Sequence, residues 1–498
     1  MQYLLAHDLG TSGDKASLFT VDGTLVKSVV AGYPCSYGIG NCVEQHPDLW
    51  YAAVCRTTQS LASLVDPAQI VGVSFSGHMM GAVLLDDSGA LLRPAIIWAD
   101  QRAVSERALL SQRVGDWRLY EITGNRNNPT NSICKIMWSM ANDGLKDRLA
   151  KALNCKDYLI YRLTGCLGTD YSDASGTGVF DLNTFTWSQE ILEAAGVPMS
   201  VMPELHASTD LAGHIMAQAS QDTGLLEGTP VFCGCGDGIA ASVGTGISKV
   251  GQAYMCLGTS AWLSYLDDAP LLDPQQRTFN LAGITKGLYY PIGAMQAAGA
   301  SYNWMRGQLC LQEAAEAKAK NSSIYDEINR QIAQIPPGAN GVLFLPYLMG
   351  ERSPWWDVHA KGAFLGLGPE STHSEMLRAV MEGVCLNLGL IMEVFREKRD
   401  FSALRIIGGA AKEPLWRQML ADVLRVRVEK LSLLEEGCSL GAAIVAGIGA
   451  GVFCDGTAID KFLHVDSVSE PDAAQVEQYA QVLPHFQDAY ERLKGFYG

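Results

Sequence analysis

Residues 8–15 read Asp-Leu-Gly-Thr-Ser-Gly-Asp-Lys. Gly10 and Gly13 leave the backbone free to curl, so that its amides and the Thr11 and Ser12 hydroxyls converge on one point. A concavity of successive amides takes up phosphate oxygens without any net positive charge, and Asp8 beside it can hold a divalent cation through water. The same stretch is also compatible with a plain hairpin turn. A second Leu-Gly-Thr-Ser begins at residue 257, 248 residues after the first, which opens at residue 9. Gly258, Thr259 and Ser260 repeat the amide-rich turn, and two such turns facing each other would clamp one polyphosphate.

Asp237 sits in VFCGCGDGIAASVGTG (231–246), at the junction of a buried strand and a small-residue helix. A carboxylate there can accept a hydroxyl proton while the glycines leave room for a substrate, as the base of phosphoryl transfer does. It can equally be a helix cap, and the helix dipole would then lower its pKa. SFSGHMMGAVLLDDSG (74–89) and IIWADQR (96–102) outline a sugar site. His78, Asp100 and Arg102 can bond hydroxyls, and Met79, Met80 and Trp98 can offer apolar faces to a ring or carbon chain. His78 also suits a satisfied core position, and Asp100 with Arg102 suits a structural ion pair. In RIIGGAAKEPLWRQMLADVL (405–424) a strand ends in Gly408-Gly409 and leads through Pro414 into an amphipathic helix, where a flat ring such as adenine can lie against the backbone; an ordinary strand-to-helix loop looks the same.

Several chemistries are absent as motifs. There is no GxxxxGK[ST] and no HExxH, and CGC at 233–235 has no partner ligands. GCSLG (437–441) matches the GxSxG hydrolase elbow, but it follows Glu435-Glu436 rather than a clear strand, and the start of a small-residue helix explains it better.

These residues need strands to present them. YLLAHDL, KASLFTV and LVKSVVAGY predict a β-meander, with Asp22-Gly23 as a hairpin turn. QIVGVSFSG, GAVLLDDSGALLRPAIIW, TPVFCGCGD and LRIIGGA predict further buried strands, and helical patterns cover 48–64, 375–398 and 414–425, which together make an α/β protein. LGAAIVAGIGAGVF (440–453) is shorter than the roughly 20 residues a membrane span needs and predicts a tightly packed buried helix.

With 498 residues and 48% apolar content, the chain exceeds the roughly 250–300 residues at which single cores stop growing, so two domains are expected, 1–245 and 246–498. The 37 basic and 53 acidic residues give a net charge of −16 with no basic block, which argues against a nucleic-acid or anionic-membrane surface. Thirteen scattered cysteines without a CxxC pair, behind an N-terminus that lacks a signal pattern, lead us to expect reduced thiols in a cytoplasmic protein.

Together these motifs resemble the FGGY carbohydrate kinases, within the actin, Hsp70 and hexokinase-like ATPases. The resemblance runs from DLGTSGDK through WADQR, GCGDG and CLGTS to GGAAKEP and GCSLGAA, and GAFLGLGPESTHSEMLRAVMEG (362–383) fits the family's C-terminal signature. The N-terminal signature is partly met: Ser132, Lys135, Ile136 and Trp138 fit, whereas Thr130 departs. The resemblance implies two RNase H-like domains with a central cleft, ATP and Mg²⁺ between them, and a small-molecule sugar bound by the first domain. It implies Asp237 as catalytic base, Asp8 as the metal-associated carboxylate, and Gly10, Thr11, Ser12, Lys15, Gly258, Thr259 and Ser260 as phosphate binders. Gly408, Gly409 and Ala410 then fall in the adenosine loop. Homodimers are common in the family.

Within it the chain looks most like the kinases that phosphorylate D-xylulose, with two departures. Where these read Ser-Gly-Gln-Met-His-Gly, His78 replaces the glutamine and Met80 the sugar-contacting histidine, and Gly238 stands where Asn is frequent. Another ketose, a polyol or a sugar acid such as gluconate stays open as substrate. A nucleotide-dependent protein of the actin or Hsp70 type is the reading from a different class, and it would need neither Asp237 nor the 74–102 motifs.

Overall fold

The computed structural model describes residues 1–432 and 436–497. Its first large sheet runs in the order Leu211–His214, Pro230–Phe232, Ile70–Gly77, Tyr3–Leu9, Gly13–Thr20 and Leu25–Gly32, with Cys235–Gly236 also pairing to Ile70–Gly77. The second runs Phe279–Ala282, Tyr289–Met295, Ala261–Tyr265, Ala253–Leu257, Ala403–Ile407, Arg427–Leu431 and Val465–Ser469.

The two sheets share one wiring. In each, an antiparallel meander opens the unit and its first strand pairs in parallel with a later one. A further parallel strand follows, and an antiparallel strand closes the edge. The central strands are covered on both faces, which is why Tyr3–Leu9 and Ala253–Leu257 are nearly continuous apolar runs. The repeated Leu-Gly-Thr-Ser falls at the same place in both, the first turn of the meander. The second turn is one residue tighter: Leu9 pairs with Asp14 across the first, and Leu257 with Ala261 across the second.

The expected helices form as Pro47–Ala62, His373–Arg396 and Pro414–Leu424. Proline at the first turn starts two of them, and a Thr372–Glu375 capping box starts the third. The expected strand over 81–98 is broken. Only Val83–Leu85 and Ala95–Ile96 are extended, in small side sheets, because the Asp86–Gly89 turn and Pro94 interrupt the run.

The small-residue run becomes the buried helix Gly437–Gly449, and GCSLG is its start; Glu435 lies outside the described residues. Although it belongs to the second half of the chain, this helix packs in a core with Leu4, Ala6, Phe19 and the helix Asp237–Gly244. Glycines let the two backbones touch: a β-carbon on Gly441 would lie 1.9 Å from the Ala240 carbonyl oxygen, and one on Gly244 would lie 1.7 Å from that of Gly437. Among the described residues no helix is long and apolar enough to cross a membrane.

Candidate active site

The first turn is tied back by its carbonyls. Tyr33 OH donates to the Gly10 oxygen at 2.6 Å and Gln45 Nε2 to the Thr11 oxygen at 2.7 Å, while the Gly10 amide donates to the Gly13 oxygen at 3.0 Å. Among the described residues the Thr11 and Ser12 amides have no acceptor. The second turn is built alike. The Gly258 amide donates to the Ser260 oxygen at 3.0 Å, and the Gly258 and Thr259 oxygens accept from the amides of Gly299 and Ala300 at 2.9 Å each. The Thr259 and Ser260 amides again have no acceptor among the described residues, so each turn keeps two donors for an anion.

Gly408 has φ +97, and a β-carbon on it would lie 2.5 Å from the Leu257 oxygen, so the 408–410 loop is pressed against the strand that enters the second turn. Space above Gly409 is open. Lys15 pairs with Glu436 at 2.8 Å, across the two halves of the chain.

Asp237 is the first residue of its helix and Gly236 the cap; the Gly238 amide donates to Asp237 Oδ1 at 2.7 Å. Its carboxyl is pushed up to about 7, first by burial and then by the negative charge of Asp8. The expected lowering by the helix end is therefore outweighed. Asp8 accepts a hydrogen bond from Ser76 Oγ at 2.9 Å and is pushed up to about 6, chiefly by burial. Two carboxylates that repel each other in a crowded cleft need a proton or a cation between them. Among the described residues no group of three or more histidine, cysteine or acidic side chains could hold a metal by itself. The site thus suits a hard cation that one or two carboxylates share with phosphate oxygens and water.

Behind Asp237 lies a group that sequence reasoning missed. The Gly236 amide donates to Ser172 Oγ at 2.9 Å, Ser172 Oγ donates to Asp170 Oδ2 at 2.5 Å, and Asp170 pairs with the fully buried Lys156 at 2.9 Å. This chain fixes the backbone of Gly236, the residue before Asp237. Its signal in the sequence is faint, because Lys156 lies inside a helix and only the fold brings it to Asp170 at the end of a short strand.

On the other wall, Met79 packs over Gly236, where a β-carbon would lie 2.5 Å from its sulfur. Met80 holds φ +60, and Lys135 Nζ donates to its carbonyl at 2.6 Å and to that of Ile97 at 2.9 Å. Lys135 is buried, which draws its pKa down to about 7. Thr130, the departure in the signature, faces the Met80 sulfur at 3.9 Å and donates to Asn128 Oδ1 at 2.9 Å. His78 is 3% exposed and lies edge-on to Trp50, with neither ring nitrogen bonded. Burial lowers its pKa to about 4, so it is neutral.

Trp98 is 41% exposed and donates to Thr11 Oγ1 at 2.9 Å, which ties the 96–102 segment to the first glycine turn. Asp100 is engaged by Arg102, whose Nη2 donates to Oδ2 at 2.7 Å, and by the Val43 amide at 2.5 Å. That carboxylate has little capacity left for a ligand. Gly238 meets a residue that sequence reasoning did not single out: a β-carbon there would lie 2.7 Å from Cη2 of Trp262, and Tyr254 OH donates to the Gly238 oxygen at 3.2 Å.

The sequence profiles of the N-terminal and C-terminal domains of the FGGY family of carbohydrate kinases match residues 3–244 and 253–450. The chain is 32% identical over 502 residues to the xylulose kinase of Bacillus subtilis (strain 168), covering 99% of this chain and 98% of that one. It is also 28% identical over 498 residues to the gluconokinase of the same organism, covering 99% and 97%. Its structure superposes on a ligand-bound xylulose kinase from Lactobacillus acidophilus with a TM-score of 0.93 at 28% identity, over 100% and 99% of the two chains. Plasmodium falciparum glycerol kinase with ADP shares the fold, with a TM-score of 0.88 at 20% identity. Two like-wired sheets, two free-amide turns and full-length similarity define a carbohydrate phosphotransferase. This chain belongs to the FGGY family of carbohydrate kinases and is an ATP-dependent sugar kinase.

Proposed function

We propose that the protein phosphorylates D-xylulose to D-xylulose 5-phosphate. Residues 1–245 carry the sugar wall and the first turn, and 246–498 the second turn and the adenosine loop. The observation that carries the mechanism is the raised pKa of Asp237, opposite Asp8 and beside two turns with free amides. A carboxylate poised near neutrality is matched to taking a hydroxyl proton.

Asp237 orients the substrate hydroxyl and accepts its proton, with the backbone before it held in place by the Ser172 bond to Gly236. The amides of Thr11, Ser12, Thr259 and Ser260 seat the phosphates, while Gly408, Gly409 and Ala410 leave the adenosine face open. Met79, Met80, Trp98 and the unbonded ring of His78 shape the sugar side, and the Asp100–Arg102 pair braces it. Asp8 is the residue to hold Mg²⁺, which when bound would neutralise phosphate charge.

The thirteen cysteines are all unpaired, which supports action in the cytoplasm. A sugar acid such as gluconate is the second reading, favoured by Met80 in place of histidine and by the gluconokinase relatives. A coupled ADP-release assay over pentuloses, hexuloses, polyols and aldonic acids tests the choice. Highest kcat/KM on D-xylulose supports the first reading, and preference for an aldonic acid replaces it with the second.

A further inference from the structure

The cations around the cleft are nearly all committed. Lys15 pairs with Glu436, Arg102 with Asp100 and Glu44, and Lys135 is held by two carbonyls. Arg352 differs: its backbone is bonded, the amide to Glu351 and the carbonyl to the Trp356 amide, but among the described residues its guanidinium has neither a hydrogen bond nor an ion pair. The side chain is open to solvent, yet the protein around it holds its pKa below the ordinary arginine value.

The backbone of this arginine is fixed to the catalytic elements from two sides. Glu351, 3% exposed, accepts the amides of Arg352 at 2.8 Å and of Gln296 at 2.7 Å on one carboxylate oxygen. Three residues past Gln296, the amides of Gly299 and Ala300 buttress the second turn. On the other side, the Ser353 amide donates to the Ala294 oxygen at 2.9 Å and Ser353 Oγ accepts from the Ala294 amide at 3.2 Å. Ala294 is the cross-strand partner of Trp262, whose ring lies on Gly238 beside the base.

We propose that Arg352 is a catalytic residue of this kinase, its guanidinium meeting the phosphoryl group in transfer between the second glycine turn and Asp237. The bond from the bridging oxygen to the γ-phosphorus breaks with its electron pair going to ADP, the sugar oxygen bonds to that phosphorus, and the hydroxyl proton passes to Asp237. Arg352 keeps its protons and takes up the charge gathered on the equatorial oxygens. The cleft already carries two carboxylates in a chain of net charge −16, so a permanent cation has most effect there. Arginines in this role contribute about 10³ to 10⁵ in turnover in other phosphoryl-transfer enzymes.

The proposal rests on the sugar-kinase activity and not on the choice of sugar. The test is calorimetric titration of the intact protein with Mg-ADP, and with Mg-ADP plus aluminium fluoride as mimic of the phosphoryl group in flight, in wild type, Arg352→Ala and Arg352→Lys. We expect Mg-ADP affinity within about twofold of wild type in both variants, and aluminium fluoride affinity lower by about 100-fold in Arg352→Ala, with part retained in Arg352→Lys. On the best sugar kcat should fall by roughly 10² to 10³ with KM for sugar little changed. Unchanged aluminium fluoride binding, an equal loss for both ligands, or a raised KM for sugar with kcat kept would each overturn it. Should Arg352→Ala not fold, Arg352→Lys carries the comparison. Wild type with aluminium fluoride binding but preference for another sugar would overturn the D-xylulose reading and leave the role of Arg352 standing.

Discussion

Trp262 occupies the space in front of Gly238: Cη2 of its ring lies 2.7 Å from where a β-carbon on the glycine would stand. The two residues come from different halves of the chain and meet beside the base. Gly238→Ala should therefore cost about 1 to 3 kcal/mol and lower turnover. Gly238→Asn should cost more, and Trp262→Ala in the same chain should recover a good part of it. Urea unfolding of the four proteins in a double-mutant cycle measures the coupling, and strict additivity would show that the ring moves aside freely.

Asp237 must be ionised to take a proton, and its pKa stands at about 7. The rate should thus climb with pH through neutrality and fall on the acid side, before magnesium-nucleotide lowers the midpoint. Asp237→Asn should lose about 10² to 10⁴ in kcat, with Mg-ADP affinity within about threefold, because the turns that seat phosphates are untouched. Stability runs the opposite way. A folded pKa above the unfolded one means stability is fully present below the ordinary carboxylate value and is lost as pH rises through about 7. In thermal melts without ligand, the Tm advantage of Asp237→Asn over wild type should grow from pH 4 to pH 8.

Burial raises Asp8 to about 6 and Asp237 to about 7, and the charge on Asp8 adds to the rise at Asp237. A cation held at Asp8 would favour the ionised carboxylates, so binding of Mg-ADP should release protons between about pH 5.5 and 7. Calorimetry in buffers of different ionisation enthalpy counts them. Asp8→Asn should abolish most of the release, whereas equal heats in all buffers would mean that the pair is already ionised without ligand.

The two turns were legible in the sequence because glycines repeated in a fixed phrase mark a backbone path, and the shared wiring of the sheets gives that repeat its physical basis. The place of Asp237 at the start of a small-residue helix was legible from the strand-to-helix junction, although its pKa was not: the helix end pointed downward, and burial with Asp8 outweighs it. Trp262 was missed because its strand alternates like any other and only tertiary packing brings it to Gly238. Lys156 and Asp170 were missed since a buried ion pair far apart in sequence leaves no local pattern. The expected strand over 81–98 failed on its own Asp and Pro residues, which apolar content had outweighed in the reading.

His78 and Met80 stand where glutamine and histidine are usual in the xylulose kinases the chain resembles. The His78 ring is neutral and unbonded, and Met80 keeps its place through the Lys135 bond to its carbonyl, which any side chain at 80 leaves intact. His78→Gln with Met80→His should therefore change sugar preference by an order of magnitude or more while KM for ATP stays within about twofold. Equal effects on every sugar in the panel would place specificity elsewhere on the wall.

The contact of the helices Asp237–Gly244 and Gly437–Gly449 joins stability to catalysis, because the base is the first residue of one of them. Their backbones touch at Gly441 and Gly244, where a β-carbon would lie 1.9 Å and 1.7 Å from carbonyl oxygens. No side-chain movement relieves a clash with a backbone oxygen, so one helix must shift. Gly441→Ala should cost at least about 3 kcal/mol, the upper end for overpacked cores. The folded fraction should also show lower kcat, since a displaced helix carries Asp237 away from the Ser172 bond that holds Gly236 before it. Gly449→Ala, the last residue of the same helix, where a β-carbon would lie 2.3 Å from the Phe232 ring and 2.5 Å from the Thr209 oxygen, should also destabilise, but its clash falls at the helix end remote from the Gly441–Ala240 contact, and kcat of the folded protein should stay near wild type. Denaturant melts read against active-site titration separate the two effects, and equal losses of kcat in both variants would sever the link between helix contact and base.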